Sequence, residues 1–263
     1  MDCPPIDPHA TLTPFEPAAL RTCKLFGQTV QLALLPGRKA RSGHLQNSRP
    51  ALQRNKAEQI LREEAYWRTE TLAVTPNKFP FAKNQQILWM AHPAREPDYA
   101  FWLTARNWVD RSDGTALLNN IGAAATIPRA HAHLIDERIP FLADLSERPL
   151  ETDLITVPDG CELVRKDVPF CIIGIRGDIA GTAESLIRLA DARLTATWNV
   201  VITKDATWIV PRAKETPAPF FNQAVGAAEL WGRWCYLDEE PFEAATEADL
   251  EQALMIATMP RID

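Results

Sequence analysis

The sequence predicts an α+β fold, with antiparallel sheets, flanking helices and two half-units. Three observations carry this reading. Short runs of strand length recur in both halves of the chain. They come as strand–turn–strand pairs, at 71–91 and again at 198–210. Longer segments of helical period are few, so strands gather in antiparallel groups instead of alternating regularly with helices. The halves are expected at residues 1–145, which carry the histidine-rich segment described below, and 146–263.

Composition sets outer limits. The chain has 263 residues, of which 46% are hydrophobic and 24% charged. Those are globular proportions, and the length suits one large or two small domains at about 150 residues each. With 28 basic and 34 acidic side chains the net charge is 28 − 34 = −6. A nucleic-acid partner is not expected, because such binding rests on neutralising phosphates with a basic surface. Small phosphorylated ligands need only a local basic cluster. No apolar run approaches the roughly 18 residues of a membrane span, so no membrane partner is expected. The start, Met1-Asp2-Cys3-Pro4-Pro5, lacks the basic and apolar regions of a signal peptide. The five cysteines include no CxxC pair. A disulfide framework or cysteine zinc site is therefore not expected, and a cytoplasmic location fits.

Taken in order, residues 1–20 read as an extended, proline-rich lead-in. A strand follows at 28–35 and stops at Pro36-Gly37. Residues 38–55 carry Arg38, Lys39, Arg41, Arg49 and Arg54 and read as an exposed basic loop. A helix is predicted over 51–67, with Ala57, Ile60, Leu61 and Ala65 on one face. Strands follow at 71–75 and 86–91. Asp98 is placed to cap a second helix, whose inward stripe reads Tyr99, Trp102, Leu103, Arg106 and Val109. Asp113-Gly114 marks a turn before strands at 115–121 and 129–135. In the second half, the apolar run 168–175 reads as one buried strand and 182–194 as a helix. Strands at 198–203 and 207–210 flank a Lys204-Asp205 turn. A closing helix over 246–259 turns Leu250, Ala253, Leu254 and Ala257 inward. The acidic stretch 238–249 reads as solvated surface. The tryptophans read as core, with Trp208 considered for stacking on a base.

The chemistry concentrates in residues 118–135. Alternation along a strand puts Arg129, His131, His133 and Ile135 on one face, neighbours about 7 Å apart. Ala130, Ala132 and Leu134 take the other face and suit packing against a helix. Two of the chain's five histidines thus stand beside an arginine. Upstream, Gly122 and three alanines leave room for a ligand near the backbone. Asn119, Asn120 and Thr126 add neutral polar groups. Three uses remain open. An imidazole can attack phosphorus while cations and the second histidine hold the oxygens. The HxH pair can be two ligands of a metal, although a third is needed and Arg129 would repel the cation. The pair can also be structural.

The segment resembles the histidine triad superfamily. Its asparagine–glycine element is matched by Asn120-Ile121-Gly122. Thr126 stands at the hydroxyl position, Pro128 precedes Arg129-Ala130-His131-Ala132-His133, and Leu134-Ile135 close the pattern. Arg129 replaces the first histidine. Ala124-Ala125-Thr126 replaces the usual Gly-Ala-Ser or Gly-Gln-Thr. Further stretches resemble the diadenosine tetraphosphate phosphorylase (ATP adenylyltransferase) and galactose-1-phosphate uridylyltransferase branch. They are Asn77-Lys78-Phe79-Pro80-Phe81 with Asn84 and the strand after it, the segment from Trp198 to Glu215, and Phe221 to Glu229. The resemblance covers roughly residues 70–235 with a break near 140–165.

That resemblance implies a HIT-like fold. It implies a nucleotidyltransferase or phosphorylase that takes a nucleoside polyphosphate or sugar nucleotide, through a nucleotidyl-histidine, to phosphate or a phosphorylated acceptor. A hydrolase, or a non-catalytic nucleotide- or metal-binding module of the same fold, is the alternative. Catalytic roles are implied for His131, His133 and Thr126. Substrate contacts are implied for Arg129, Asn120, Asn77, Lys78, Lys83 and Arg212. No tightly bound cofactor is implied, and magnesium would arrive with the polyphosphate. Two registers are available: anchoring on Pro128 makes His131 the nucleophile, while a shift of two residues makes it His133.

Overall fold

The computed structural model describes residues 3–6, 12–39, 54–153, 155–192 and 195–261. Strand β1 (Ala19–Leu25) and β2 (Gln28–Leu34) form a hairpin, followed by a 3₁₀ turn at Pro36–Arg38. Helix α1 (Arg54–Glu64) precedes β3 (Trp67–Arg68), β4 (Leu72–Pro76) and β5 (Gln86–Met90). Then come α2 (Tyr99–Ser112), β6 (Thr115–Asn119), β7 (His131–Ile135) and α3 (Phe141–Asp144). The second half runs β8 (Glu147–Pro149), β9 (Glu162–Lys166), β10 (Ile173–Arg176), α4 (Ile179–Ala192), β11 (Trp198–Ile202) and β12 (Thr207–Pro211). It closes with α5 (Ala227–Trp231), β13 (Arg233–Tyr236), α6 (Glu239–Ala244) and α7 (Glu247–Ala257). The expected α+β class, with antiparallel sheets and flanking helices, is what the chain adopts.

Ten strands form one antiparallel sheet in the order β3-β4-β5-β7-β6-β11-β12-β10-β9-β8. That order is the same read from either end, once β3 to β7 are matched with β8 to β12. Helix α2 falls between β5 and β6, and α4 between β10 and β11. Each half is therefore a copy of one topology, and β6 and β11 join them with Asn119 opposite Asn199. A smaller sheet, β1-β2-β13, includes the parallel pair β2 and β13.

Alternation on the central strands sorts the core into two layers. Ala116, Leu118, Ala132, Leu134, Val200, Ile202 and Ile209 pack with Phe101, Trp102 and Trp108 of α2 and Leu186 of α4. Leu117, Ile135, Val201, Trp208 and Val210 face the other way, toward the small sheet and the C-terminal helices. The expected inward residues of α7, Leu250, Ala253, Leu254 and Ala257, are all fully buried there. Asp98 caps α2 as expected, its carboxylate accepting from the Phe101 N–H at 2.8 Å.

Several expectations need correction. Residues 21–25 belong to a strand that the lead-in reading missed. Tyr99 is exposed, and the buried face of α2 is instead wide, adding Phe101, Ala105 and Trp108, because both the sheet and α4 cover it. The run 168–175 is not one strand. Pro169 has no N–H to give a ladder, and only Ile173–Arg176 pairs within the sheet. Val168, Phe170 and Ile172 fill one layer while Cys171, Ile173 and Ile175 fill the other. The strand expected at 129–135 begins at His131. The acidic stretch 238–249 is not all surface, since it buries Phe242. Most of the expected basic loop, residues 40–53, lies outside the described residues, as do residues 51–53 of the first helix.

One ion pair joins the two sheets. Arg233 on β13 is 1% exposed and meets the Glu137 carboxylate with both terminal nitrogens, at 2.9 and 2.5 Å. It also donates to the Phe81 carbonyl at 3.0 Å and to the Gln31 side chain. Burial alone would raise the Glu137 carboxyl, but the Arg233 pair and the Lys83 N–H outweigh it and hold it below its ordinary value.

Two predictions follow from this packing. A carboxyl whose folded pKa is depressed adds stability above its ordinary value and loses it as pH falls through the folded one. Glu137→Gln should remove that acid limb and cost about 3–5 kcal/mol at neutral pH, since it leaves a buried guanidinium uncompensated. Urea midpoints at a series of pH values check both. Separately, a Cβ on Gly114 would lie 2.4 Å from the Ile135 carbonyl oxygen, whereas one on Gly37 meets nothing within 4 Å. Gly114→Ala should destabilise by about 1–3 kcal/mol or more, and Gly37→Ala should be neutral or stabilising by up to about 1 kcal/mol.

Candidate active site

Strand β7 lies between β5 and β6, with His131 opposite Trp89 and His133 opposite Ile87 and Leu117. Ala130, Ala132 and Leu134 pack into the helix-covered layer, as the alternation predicts. The opposite face was expected to turn Arg129, His131 and His133 into one open cleft with Asn120 and Thr126 nearby, and it is not open. His131 and His133 are each 5% exposed. They sit between the apolar layer around Phe81 and Leu117 and a small cluster of Leu61, Ala73 and Trp89 beneath α1. The imidazoles are thus held among aromatic rings. Trp89 stacks on His131 with centroids 4.7 Å apart and planes 24° apart. Phe81 meets His133 edge-on at 5.2 Å. The two imidazoles lie 5.7 Å apart, nearly perpendicular. The Trp89 ring is itself fixed by its N–H, which donates to the Thr75 hydroxyl at 2.9 Å.

Each imidazole has a specific partner at Nδ1. His131 Nδ1 lies 2.8 Å from the carbonyl oxygen of Arg129. A carbonyl only accepts, so Nδ1 carries a proton, and in the neutral ring the lone pair is on Nε2. His133 Nδ1 lies 2.8 Å from Nε2 of Gln85. The buried Arg129 side chain donates to the Ala91 carbonyl at 2.9 Å and reaches Glu58 at 3.5 Å. Desolvation lowers the Arg129 pKa, partly countered by Glu58. That glutamate is 60% exposed on its side chain, so the ion pair opens to solvent.

The other sequence-derived residues spread more widely. Asn120 is buried and donates to both carboxylate oxygens of Glu96, at 2.9 and 3.1 Å. Thr126 is exposed on the loop entering β7. Asn77 accepts from the Phe79 N–H at 3.0 Å. Lys78 is exposed and paired with Glu64 at 2.8 Å. Lys83 is exposed on the turn before β5, and its backbone N–H donates to Glu137. Arg212, just past β12, is 3% exposed. It donates to Asn199 Oδ1 and to the carbonyls of Val225, Ala257 and Lys214. Desolvation lowers its pKa to about 10. Asn199 in turn donates to Asn119 and to the Ala123 carbonyl, both at 2.8 Å. This network ties the loop after β6 to the second half.

Two local readings change. Gly122 does not leave ligand space: its φ is +89°, and a Cβ would lie 2.5 Å from the Thr197 methyl. Trp208 is buried, with the Lys166 ammonium 4.3 Å from its ring centre, so it is core and not a base platform. Sequence reasoning missed Gln85, Trp89 and Thr75. The alternation of β5 puts Ile87 and Trp89 on one face, which was the available signal for Trp89. Among the described residues, no three His, Cys, Asp or Glu side chains are grouped as a metal would need, and no helix is long and apolar enough to cross a membrane.

No protein-family profile and no curated protein matches the chain. Solved structures do. The yeast Ap4A phosphorylase Apa2 in complex with Ap4A aligns with a TM-score of 0.70 at 16% identity, over 96% of this chain and 93% of that one. The same enzyme in complex with AMP aligns at 0.68 and 18% identity, over 95% and 90%. An ADP-glucose phosphorylase from Arabidopsis thaliana aligns at 0.42 and 10% identity, over 90% and 98%. At these identities the likeness is one of fold. Over nearly its whole length this chain has the fold of yeast Ap4A phosphorylase Apa2, a HIT-like fold of the kind that its histidine segment resembles.

Proposed function

We propose that the protein is a nucleotidyltransferase or phosphorylase acting on a nucleoside polyphosphate or sugar nucleotide through a nucleotidyl-histidine on His131. The observation that carries this reading is the 2.8 Å contact between His131 Nδ1 and the Arg129 carbonyl. It leaves the lone pair on Nε2 and gives the imidazole an acceptor for the positive charge that grows during attack. Its occurrence at His131 favours the register anchored on Pro128. The fold shared with a phosphorylase supports the reaction class.

In the first step His131 Nε2 forms a bond to the α-phosphorus, and the bond from phosphorus to the bridging oxygen breaks. The phosphorylated remainder departs. In the second step phosphate, another phosphorylated acceptor or water attacks the same phosphorus and the P–N bond breaks, restoring neutral His131. His133 donates to a phosphoryl oxygen. Arg129 supplies charge, its Nη2 reaching a phosphate that displaces the exposed Glu58 carboxylate. Thr126, on the loop entering β7, would contact a phosphoryl oxygen. Asn120 holds that loop through Glu96, and Asn77, Lys78 and Lys83 would make the more distant substrate contacts that the resemblance implies. Arg212 acts from the network behind the loop. No protein-held metal enters these steps, and magnesium would come with the polyphosphate.

The test is to incubate the protein with labelled dinucleoside polyphosphates, nucleoside triphosphates and sugar nucleotides and trap the labelled enzyme. Wild type should form an acid-labile adduct. His131→Ala should form none, and His133→Ala should form it about 10²–10³-fold more slowly, as for loss of one transition-state donor. An adduct that survives His131→Ala and disappears in His133→Ala moves the nucleophile by two residues. No adduct from any of these nucleotides overturns the reading.

A further inference from the structure

The two imidazoles differ in what faces Nδ1, and the difference is set by one buried side chain. Gln85 is 1% exposed and stands just before β5. Its Oε1 accepts from the Phe81 backbone N–H at 2.8 Å. A backbone N–H only donates, so this contact fixes which end of the amide is oxygen. The NH₂ end must then face His133, 2.8 Å away. An NH₂ only donates, so His133 Nδ1 must accept. The proton of neutral His133 is thereby placed on Nε2.

We infer that Gln85 is a positioning residue that holds His133 in the Nε2–H tautomer, opposite to His131, so that the neighbouring imidazoles are one donor and one nucleophile. The Arg129 carbonyl and the Gln85 amide make this division with no net charge. A proton on His133 Nδ1 would face the amide N–H atoms and lose its partner. The same contact resists the exchange of roles that identical side chains two residues apart would otherwise allow. The consequence for rate rests on the nucleotidyl-transfer reading above, whereas the tautomer assignment does not.

The experiment has two arms on the full-length protein. Side-chain ¹⁵N–¹H correlation spectra of histidine-labelled protein report which ring nitrogens carry protons. Wild type should show an unprotonated Nδ1 on His133 and a protonated Nδ1 on His131, assigned with His131→Ala and His133→Ala. Gln85→Glu keeps the acceptor for Phe81 and offers an acceptor to His133, so His133 Nδ1 should become protonated while His131 is unchanged. A protonated His133 Nδ1 in wild type, or no change in Gln85→Glu, overturns the inference even if no substrate is ever found. The second arm measures single-turnover adduct formation. Gln85→Leu should slow it by no more than His133→Ala does, and should add nothing in the His133→Ala background. An equal loss in both backgrounds shows that Gln85 does not act through His133. Thermal midpoints of the variants show whether each is folded at the assay temperature.

Discussion

The Arg233 guanidinium is the joint on which the rest of the arrangement hangs. It is buried where the small sheet meets the large one, and it reaches Gln31 on β2, Glu137 beyond β7 and the Phe81 carbonyl. The Phe81 N–H donates to Gln85, and Gln85 donates to His133. A fixed charge in the second half thus orients an imidazole in the first through three hydrogen bonds. An isolated guanidinium in such a place would be costly to desolvate. Bidentate pairing with Glu137 and the extra carbonyl make the burial tolerable, and geometry is gained in return.

Much of the fold was legible because period and burial agree. The Asp98 cap, the inward face of α7 and the strands around 71–91 and 198–210 all follow from spacing alone. Failures cluster where tertiary contacts override the local pattern. β1 alternates in exposure but not in residue type, with Ala19-Leu20 and Arg21-Thr22 side by side, and a proline-rich prelude runs into it. Its register is set by β2, whose other edge pairs with β13, far along the chain. The run 168–175 looks uniform in sequence, but Pro169 interrupts the ladder and its side chains divide between two layers. The helix α2 reads as amphipathic only if a single covered face is assumed, and α4 supplies a second.

The candidate site was legible in its histidine pair and not in the groups that orient it. His131 and His133 stand out by composition and spacing, and so does their helix-packed reverse face. Gln85 carries no such signal, because a glutamine before a strand is ordinary until the folded chain brings it to an imidazole 48 positions away. Arg129 shows the converse. Its charge is obvious in sequence, yet the group that acts on His131 is its backbone carbonyl, which any residue has. Residue type announces which groups are present, and only the fold discloses what each ring nitrogen faces.

The long separation between Arg233 and its partners has a consequence for how the molecule comes into being. Gln31 and Arg233 are 202 positions apart, and every strand of the ten-stranded sheet is translated before Arg233. A nascent chain can therefore pair its large sheet while Glu137, Gln31 and the Phe81 carbonyl still lack their common partner. Synthesis from the N-terminus favours such stepwise assembly. The histidine environment is completed only after residue 233 has been made, once every strand of the large sheet already exists. A product terminated before residue 233 would keep both histidines and most of the sheet, yet it would lack the anchor that disciplines them. The order around the two imidazoles thereby depends on a residue made long after them, and translation past position 233 is a condition for it.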